Sequence, residues 1–315
     1  MSTTTDTAVA AWRFFDVEVA RTQVLSRSFV RLTFRGDDLD QIADNGFDQR
    51  IKLVLPDATG GYDHVPSGLD WYDQWRSLPD EHRNPIRTYT IRYVRPELRE
   101  VDVDVVLHGP TGPAGRYAAT CRPGTRGALM GPNALHPGPH GAIEFAVPDP
   151  GHPLLLVGDE TALPAISRIL EDLPASTSGH VVVEVPYAED FTELTRPRGM
   201  ALTWVAREGG EHGAHLVPAV RRAADDLLAG VRTRVETVAP STRALEDVDV
   251  DSEILWEVPL DDVGLPLPPQ GDLYAWLAGE ASTIKTLRRF LVSERGLDRR
   301  SVAFMGYWRQ GRAEG

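Results

Sequence analysis

A short segment near residue 90 carries side chains suited to binding a flat, anionic ligand. Arg87, Tyr89 and Thr90 lie close together, and Arg92 follows them. An arginine guanidinium matches a pair of phosphate oxygens, and a tyrosine ring offers a surface for stacking. Alternation along a strand places Arg87 and Tyr89 on one face. Thr90 and Arg92 then lie on the other. An ordinary solvent-facing strand has the same residue types, so spacing alone leaves both interpretations open.

A glycine-rich run follows a strand-like Val/Asp pattern and leads into a short predicted helix, residues 114–119. Glycines let backbone N–H groups approach a phosphate, and a helix N-terminus favours its negative charge. A simple Gly/Pro-rich turn explains the run equally well. The candidate phosphate-binding residues are His108, Gly109, Gly112, Pro113, Ala114 and Gly115.

Two further candidates lie where an apolar strand runs into a helix, which is where open α/β sheets bind ligands. A Gly-x-Gly-x-x-Gly motif is absent from both turns. In the first turn Thr161 is a candidate helix cap, and its two acidic residues suit a helix dipole, so a purely structural role is the main alternative. The candidate residues are Gly158, Asp159, Glu160, Thr161 and Ala162 in the first turn, and Gly279 and Glu280 in the second.

The first half of the chain shows the alternation of apolar and polar residues that is typical of half-buried strands. Short strands separated by turns predict a barrel or sandwich. Residues 60–85 interrupt the pattern and predict a long loop with one short helix. The predicted strands are centred on residues 30–35, 50–55, 87–92, 101–105 and 143–147.

From residue 150 the pattern changes to continuous apolar runs alternating with helical stripes. The run 154–157 is typical of a strand buried on both faces, and similar runs recur at 181–183, 201–205, 273–277 and 301–308. Such an order predicts a doubly wound parallel sheet. We therefore expect an N-terminal antiparallel β-barrel over 12–148 and an α/β domain over 151–315. Between helix and strand, residues 236–253 predict an acidic surface excursion before a strand at 254–258.

Composition excludes several classes of protein. The net charge of −13 over 315 residues argues against general nucleic-acid affinity. The single cysteine, Cys121, excludes an intramolecular disulfide and a cysteine-bound cluster, which favours a reducing, cytoplasmic location. The sequence predicts neither a signal peptide nor a membrane span. The nine histidines lack a spacing such as His-Glu-x-x-His, so no metal site is expected.

Taken together, the motifs resemble those of the siderophore-interacting proteins, FAD-dependent ferric-siderophore reductases of the ferredoxin-reductase superfamily. The resemblance runs from about Trp12 to the end of the chain. No single motif is specific, but their order is. The matching segments are 48–53, 87–92, 108–114, 158–165, 278–281 and 306–309.

The resemblance implies roles for individual residues. Arg87 would contact the FAD pyrophosphate, Tyr89 would stack on the isoalloxazine, and Thr90 would hydrogen-bond near its reactive nitrogen. The last two are the expected catalytic residues. The run from His108 would hold the rest of the pyrophosphate, and the two strand–helix turns would face NADPH or NADH. The basic residues expected to bind the ferric siderophore are Lys52, Arg309 and, more weakly, Arg50.

Two positions depart from the family pattern. The family usually has Ser and Trp where this chain has Gly115 and Tyr117. A hydroxyl contact to phosphate is therefore missing, which is consistent with lower affinity for FAD.

The choice of electron donor stays open between NADH, NADPH and a reduced ferredoxin. Glu184 suits a ribose diol, whereas Arg196 and Arg198 suit a 2′-phosphate. Two other functions also remain open at this point. One is a general flavin reductase or oxygenase reductase component, and the other is a siderophore carrier with a vestigial flavin site.

Overall fold

The computed structural model describes residues 9–68, 70–107, 112–232 and 255–311. His108, Gly109 and the acidic segment 236–253 lie outside these residues. Among the described residues, no helix combines the length and apolar character that a membrane span requires.

The N-terminal part is a closed antiparallel barrel, as predicted. Its described strands follow the order β1-β2-β5-β4-β3-β6 around the barrel. Interior side chains such as Phe15, Leu32 and Val103 are fully buried. The strands are β1 (Trp12–Val24), β2 (Phe29–Arg35), β3 (Arg50–Val54), β4 (Ile86–Arg95), β5 (Glu100–Val106) and β6 (Arg126–Pro132).

Two helices sit in the connections of the barrel. The first, α1 (Trp71–Ser77), lies in the long connection between β3 and β4, where the sequence predicts one short helix. The second, α2 (Gly112–Thr120), follows β5 and includes the predicted helix 114–119. The strands β1 and β6 are not among the predicted strands, although the apolar residues Phe15, Val17 and Val19 of β1 alternate with polar ones.

The strand predicted at residues 143–147 is wrong. These residues lie in the described part of the chain and form no strand. The expected alternation is also absent, since Glu144 and Phe145 are both buried and Val147 is exposed. No strand forms because the backbone N–H groups of Glu144 and Phe145 donate to the carboxylate of Asp48 instead of to a neighbouring strand.

The second part is an α/β domain with the predicted doubly wound order. The sheet order is β10-β12-β11-β7-β8-β9; β10 pairs antiparallel with β12, and the remaining pairs are parallel. The strands are β7 (Leu154–Gly158), β8 (Ser178–Val185), β9 (Gly199–Ala206), β10 (Trp256–Glu257), β11 (Tyr274–Glu280) and β12 (Val302–Trp308). The strand predicted at 254–258 is thus shorter, and residue 254 itself lies outside the described residues.

Helices cover both faces of this sheet. The helix α3 (Leu163–Asp172) packs on one face, together with Phe29 and Phe145. The helices α4 (Leu216–Arg232) and α5 (Ala281–Arg288) pack on the other, and a π-helical turn continues α5 over Arg289–Glu294. Burial on both faces explains the continuous apolar run of β7. The order in which the strands are added reverses between β7 and β11, so a crevice is expected at the carboxyl ends of these two parallel strands.

Two buried carboxylates join the barrel to the α/β domain. Asp190, after β8, accepts hydrogen bonds from Ser26 Oγ at 2.7 Å and from Ser28 N and Oγ at 2.7 and 2.8 Å, all in the β1–β2 turn. In the opposite sense, Asp48 of the barrel accepts from Trp276 Nε1 of β11 at 3.3 Å. Each domain therefore supplies a carboxylate that satisfies donors of the other.

A second set of contacts links β4 to α3. Arg92, expected to bind the cofactor, is only 4% exposed, and its Nη2 lies 2.9 Å from Glu171 Oε1. Arg168 of the same helix donates to the carbonyl oxygen of Arg92 at 3.0 Å. The structure thus gives Arg92 a role in domain packing, because its guanidinium is already paired and covered.

We expect Asp190→Ala to lower the free energy of unfolding by about 2–4 kcal/mol, because it leaves two buried donors of Ser28 and the half-buried hydroxyl of Ser26 without an acceptor. Glu189→Ala is the matched control. Its carboxylate forms an exposed ion pair with Arg27, at 3.1 Å, so its loss should cost less than about 1 kcal/mol. Chemical denaturation of both variants measures the difference. Equal losses would contradict the assignment of Asp190 to the interface.

Candidate functional site

The outer face of β3 and β4 brings the predicted basic residues beside the Arg-x-Tyr-Thr motif. In the antiparallel register Lys52 pairs with Thr88 and Arg50 pairs with Thr90. Lys52 Nζ donates to Thr88 Oγ1 at 2.7 Å. Thr90 itself is buried. One strand pair therefore carries both the predicted flavin residues and two of the predicted siderophore residues.

The other face of β4 turns toward the barrel core. Tyr89 is half-buried against that core, beside Ile91. Arg87 is half-buried too, and its Nη1 donates to the carbonyl oxygen of Ile86 at 2.8 Å. Ala114, in the first turn of α2, packs against the same core. The motif residues and the start of α2 thus meet at one side of the barrel.

The N-terminus of α2 fits a phosphate group. Gly112 has a φ of +75°, and no atom lies within 4 Å of where its Cβ would be, so the backbone there is open to a ligand. Tyr117, which stands where the family usually has Trp, is buried, and its hydroxyl donates to the carbonyl oxygen of Arg126 at 3.2 Å. Burial raises the pKa of this hydroxyl well above its ordinary value. The departure at Tyr117 is therefore accommodated within the barrel.

At the crevice between β7 and β11, Asp159 organises the two predicted turns. Its Oδ1 accepts from Thr161 N at 2.9 Å, and its Oδ2 accepts from Glu280 N at 2.8 Å. A Cβ on Gly279 would come within 2.7 Å of Asp159 Oδ2, so this position requires glycine. The predicted cap by Thr161 is wrong. Its hydroxyl donates to Asp159, and α3 begins only at Leu163, with Ala162 as its N-cap.

Two acidic residues of the crevice have structural partners. Glu160 is fully buried and forms two 2.6 Å hydrogen bonds with the guanidinium of Arg207. Glu184 accepts from Gly213 N and Leu216 N at the start of α4. The predicted contacts of Glu160 with the cofactor and of Glu184 with a ribose are therefore not supported by the geometry, because both carboxylates are covered and paired.

The structure adds residues that sequence reasoning missed. Trp308 Nε1 donates to Asp159 Oδ2 at 2.8 Å, so the last strand reaches the crevice. The His212 ring packs edge-on against Trp308, with ring centroids 4.7 Å apart. Burial, and then the charge of Arg207, lower the pKa of His212, so it is neutral at pH 7. The motif at 306–309 points to Trp308, but no pattern points to His212, which lies in the β9–α4 connection.

The remaining predicted cations are Arg50 of the barrel and Arg309, which follows the last strand. Arg50 forms an ion pair with Glu144, and its guanidinium carbon lies 4.6 Å from the centroid of the Trp256 ring. Burial raises the pKa of Glu144, while Arg50 opposes that rise. Arg309 is half-buried and follows Trp308 directly. Arg50 is thus held at the boundary of the two domains.

Both parts of the chain match models of one family. Residues 18–136 match the siderophore-interacting FAD-binding domain, and residues 152–311 match the siderophore-interacting protein model. The chain belongs to the siderophore-interacting protein family. A siderophore utilization protein from T. fusca has the same fold, with 27% identity, a TM-score of 0.65, and coverage of 96% of this chain and 95% of that one.

Members of this family include a named enzyme. The ferric vibriobactin reductase ViuB of Vibrio cholerae is 27% identical over 300 residues, which cover 95% of this chain and 90% of that protein. A more distant structure shares the fold alone. It is the FAD/NAD-binding domain of a Vibrio cholerae nitric oxide dioxygenase, 14% identical, with a TM-score of 0.52, and the match covers 92% of this chain and 97% of that one. The barrel followed by a doubly wound domain is therefore the same arrangement as in that FAD/NAD-binding domain.

Asp159 should make stability depend on pH. Its burial, and then the charge of Glu160, raise its pKa to about 7, whereas an unfolded aspartate titrates near 3.8. A raised pKa means stability that is present at low pH and lost as pH rises through the folded value. We therefore expect the free energy of unfolding of the wild-type flavin-free protein, relative to that of Asp159→Asn, to fall by about 1.4 kcal/mol per pH unit as the pH rises from 5 to 7.

Denaturation curves at several pH values measure this difference. Asp149→Asn, which alters an exposed carboxylate, is the control and should follow the wild type at every pH. A wild-type advantage over Asp159→Asn that stays constant with pH would show that Asp159 remains charged throughout.

Proposed function

We propose that this protein is an FAD-dependent ferric-siderophore reductase that uses NADPH or NADH. The observation that carries the proposal is the register of β3 and β4, which places Lys52 directly across from the strand bearing Arg87, Tyr89 and Thr90. The predicted cation for a siderophore and the predicted residues for a flavin are therefore neighbours. The similarity to ViuB, named a ferric vibriobactin reductase, supports the same reaction.

The barrel residues fit FAD. Arg87 and the open N-terminus of α2 supply a guanidinium and backbone N–H groups for the pyrophosphate. Tyr89 offers its ring to the isoalloxazine, and Thr90 offers a hydroxyl near the reactive nitrogen. The bound flavin supplies the redox chemistry, accepting a hydride and releasing single electrons. The proposed pyrophosphate contacts include Gly112, Pro113, Ala114 and Gly115, and also His108 and Gly109.

The crevice between β7 and β11 would receive the nicotinamide cofactor. Gly158, Thr161 and Ala162 come from the first turn and Gly279 and Glu280 from the second, while Asp159 holds the two turns together. A negative charge on Glu184 would repel a 2′-phosphate, but Arg207 pairs with it and α4 covers it. Arg196 and Arg198 are exposed, and Arg196 also donates to the carbonyl oxygens of Leu194 and Met200. These arginines would favour NADPH over NADH if its 2′-phosphate reached them. A reduced ferredoxin is the alternative donor.

Lys52, Arg309 and Arg50 would supply local positive charge for an anionic ferric chelate in a chain whose net charge is −13. Their part is to hold the substrate within electron-transfer reach of the flavin. Ferrous iron binds such chelators much more weakly than ferric iron does, so reduction releases the metal. We place this reaction in the cytoplasm, where an imported siderophore delivers its iron.

Lys52→Met should slow the reoxidation of the reduced protein by a ferric siderophore about tenfold at subsaturating chelate. The loss of one charged contact worth about 1.4 kcal/mol corresponds to that factor. Reduction by NADPH or NADH should not change, because Lys52 belongs to the barrel strand β3 and not to the turns that form the crevice. Anaerobic stopped-flow absorbance separates the two steps, and Arg122→Ala, in the exposed turn after α2, is the control.

The same experiment distinguishes the other two functions. A flavin that bleaches with NAD(P)H but is not reoxidised by any ferric chelate would identify a general flavin reductase. A protein that takes up no FAD and still binds ferric siderophores would be a carrier. Either result overturns the proposal.

Gly115→Ser should tighten the binding of FAD about fivefold, since it restores a hydroxyl where the family usually has one and a hydrogen bond contributes about 1 kcal/mol. Gly230→Ser, in α4 of the other domain, is a matched control for the effect of the same substitution in a helix. Fluorescence titration with FAD gives both dissociation constants. An unchanged constant for Gly115→Ser would place the pyrophosphate elsewhere.

A further inference from the structure

The connection between β3 and β4 gathers one carboxylate and two imidazoles at a single point, away from the residues assigned above. Asp57, His64 and His82 each present a possible metal-ligand atom, and these atoms all lie within 4.8 Å of one another. The rings of His64 and His82 stack, with centroids 4.0 Å apart. His64 Nδ1 lies 3.8 Å from Asp57 Oδ2.

The Asp57 carboxylate is held in place by one of its two oxygens. Oδ1 accepts from Thr59 N at 2.9 Å, Thr59 Oγ1 at 2.7 Å and Gly61 N at 3.0 Å. These three hydrogen bonds stabilise the negative charge of the Asp57 carboxylate. An anionic carboxylate is the form that binds metal ions.

The second oxygen of Asp57, Oδ2, accepts no hydrogen bond from the described residues. The Asp57 side chain is 1% exposed, yet its Oδ2 has no hydrogen-bond partner among the described residues. The same holds for the buried Nδ1 of His82. A buried carboxylate oxygen normally has a partner, and an unmatched one indicates a bound water or ion. Here two unmatched ligand atoms occur in one cluster.

The base of the loop keeps these groups together. Asn84 Nδ2 donates to the carbonyl oxygens of Leu55 and Gly61, at 2.8 and 2.9 Å, and Leu55 N donates to the carbonyl oxygen of Pro85 at 2.9 Å. The two ends of the connection are therefore closed on each other. Asp57 at one end and His82 at the other are thereby held close together.

We propose that Asp57, His64 and His82 bind a first-row divalent transition-metal ion. Two imidazoles and one carboxylate, with water in the remaining positions, form a ligand set used by Zn²⁺ and Fe²⁺. Mg²⁺ and Ca²⁺ prefer sets made only of oxygen. Ligand atoms around a tetrahedral Zn²⁺ lie about 3.3 Å apart, so the present groups need to converge by up to about 1.5 Å. The half-exposed rings of His64 and His82 allow that movement.

This site does not depend on the proposed reductase function. The metal site nevertheless lies in the connection between β3 and β4, the two strands that carry the proposed substrate and flavin residues. Asp57 follows Lys52 by five residues, and His82 precedes Arg87 by five. A bound ion would therefore clip together the connection that joins the substrate-facing and flavin-facing strands. Its expected effect is on the stability of that connection and not on the electron-transfer step.

Calorimetric titration of the untagged, FAD-loaded protein with Zn²⁺, after treatment with a chelator, tests the proposal. We expect binding of one equivalent and a rise in the melting temperature, and no response to Mg²⁺. Asp57→Asn and His82→Gln should each weaken Zn²⁺ binding at least about tenfold, since even outer-shell changes at metal sites cost 10–100-fold. The controls His215→Gln and Cys121→Ser should bind Zn²⁺ as the wild type does.

His64→Gln provides a further readout if a change at buried Asp57 impairs folding, because the His64 side chain is 41% exposed and its loss leaves the fold intact. Zn²⁺ binding that is equally tight in His64→Gln, His82→Gln and the wild type would overturn the proposal, as would a wild type that binds no Zn²⁺. Loss of Zn²⁺ binding in Cys121→Ser would assign the ion to the thiol instead. Reductase activity is not the readout, so failure of this proposal and failure of the proposed function remain separate.

Discussion

The site depends on how two buried carboxylates hold the barrel against the α/β domain. Asp190 accepts hydrogen bonds from the β1–β2 turn, and Asp48 accepts one from Trp276 of β11. A buried carboxylate is costly unless hydrogen bonds surround it, so docking of the domains stabilises each of the two. The strand β4, which we propose faces the flavin, and the crevice between β7 and β11 belong to different domains. Their relative position is therefore fixed by hydrogen bonds to buried carboxylates as well as by apolar packing.

Much of the architecture could be predicted from the sequence. The apolar runs of β7 and β8 and the helical stripe of α3 report burial directly, since a strand covered on both faces has no reason to alternate. The chain order of turns and strands then fixes the doubly wound sheet and the crevice. The prediction of a strand was wrong where a side chain, and not a neighbouring strand, accepts the backbone hydrogen bonds. Residues 143–147 alternate like a strand, but Asp48 binds their backbone N–H groups.

The site itself was predictable only in part. Lys52, Arg87, Tyr89 and Thr90 lie on adjacent strands, so pattern and register suffice to bring them together. Arg92, Glu160 and Glu184 have equally suggestive positions, yet each is paired with a charge or a helix end far away in sequence. Only the tertiary structure brings the partners close, and these are Glu171, Arg207 and the start of α4. The cluster of Asp57, His64 and His82 likewise has no sequence signature, because its three members are spread along one irregular connection.

The closed base of the β3–β4 connection has a consequence for how such a protein can diverge. Asn84 joins the carbonyl oxygens of Leu55 and Gly61, so the barrel ends at a fixed stem whatever the connection contains. Insertions and replacements beyond that stem add little loop-closure cost and leave the registers of β3 and β4 unchanged. Natural selection, or a designer, can therefore exchange this connection as a cassette while the redox scaffold remains the same.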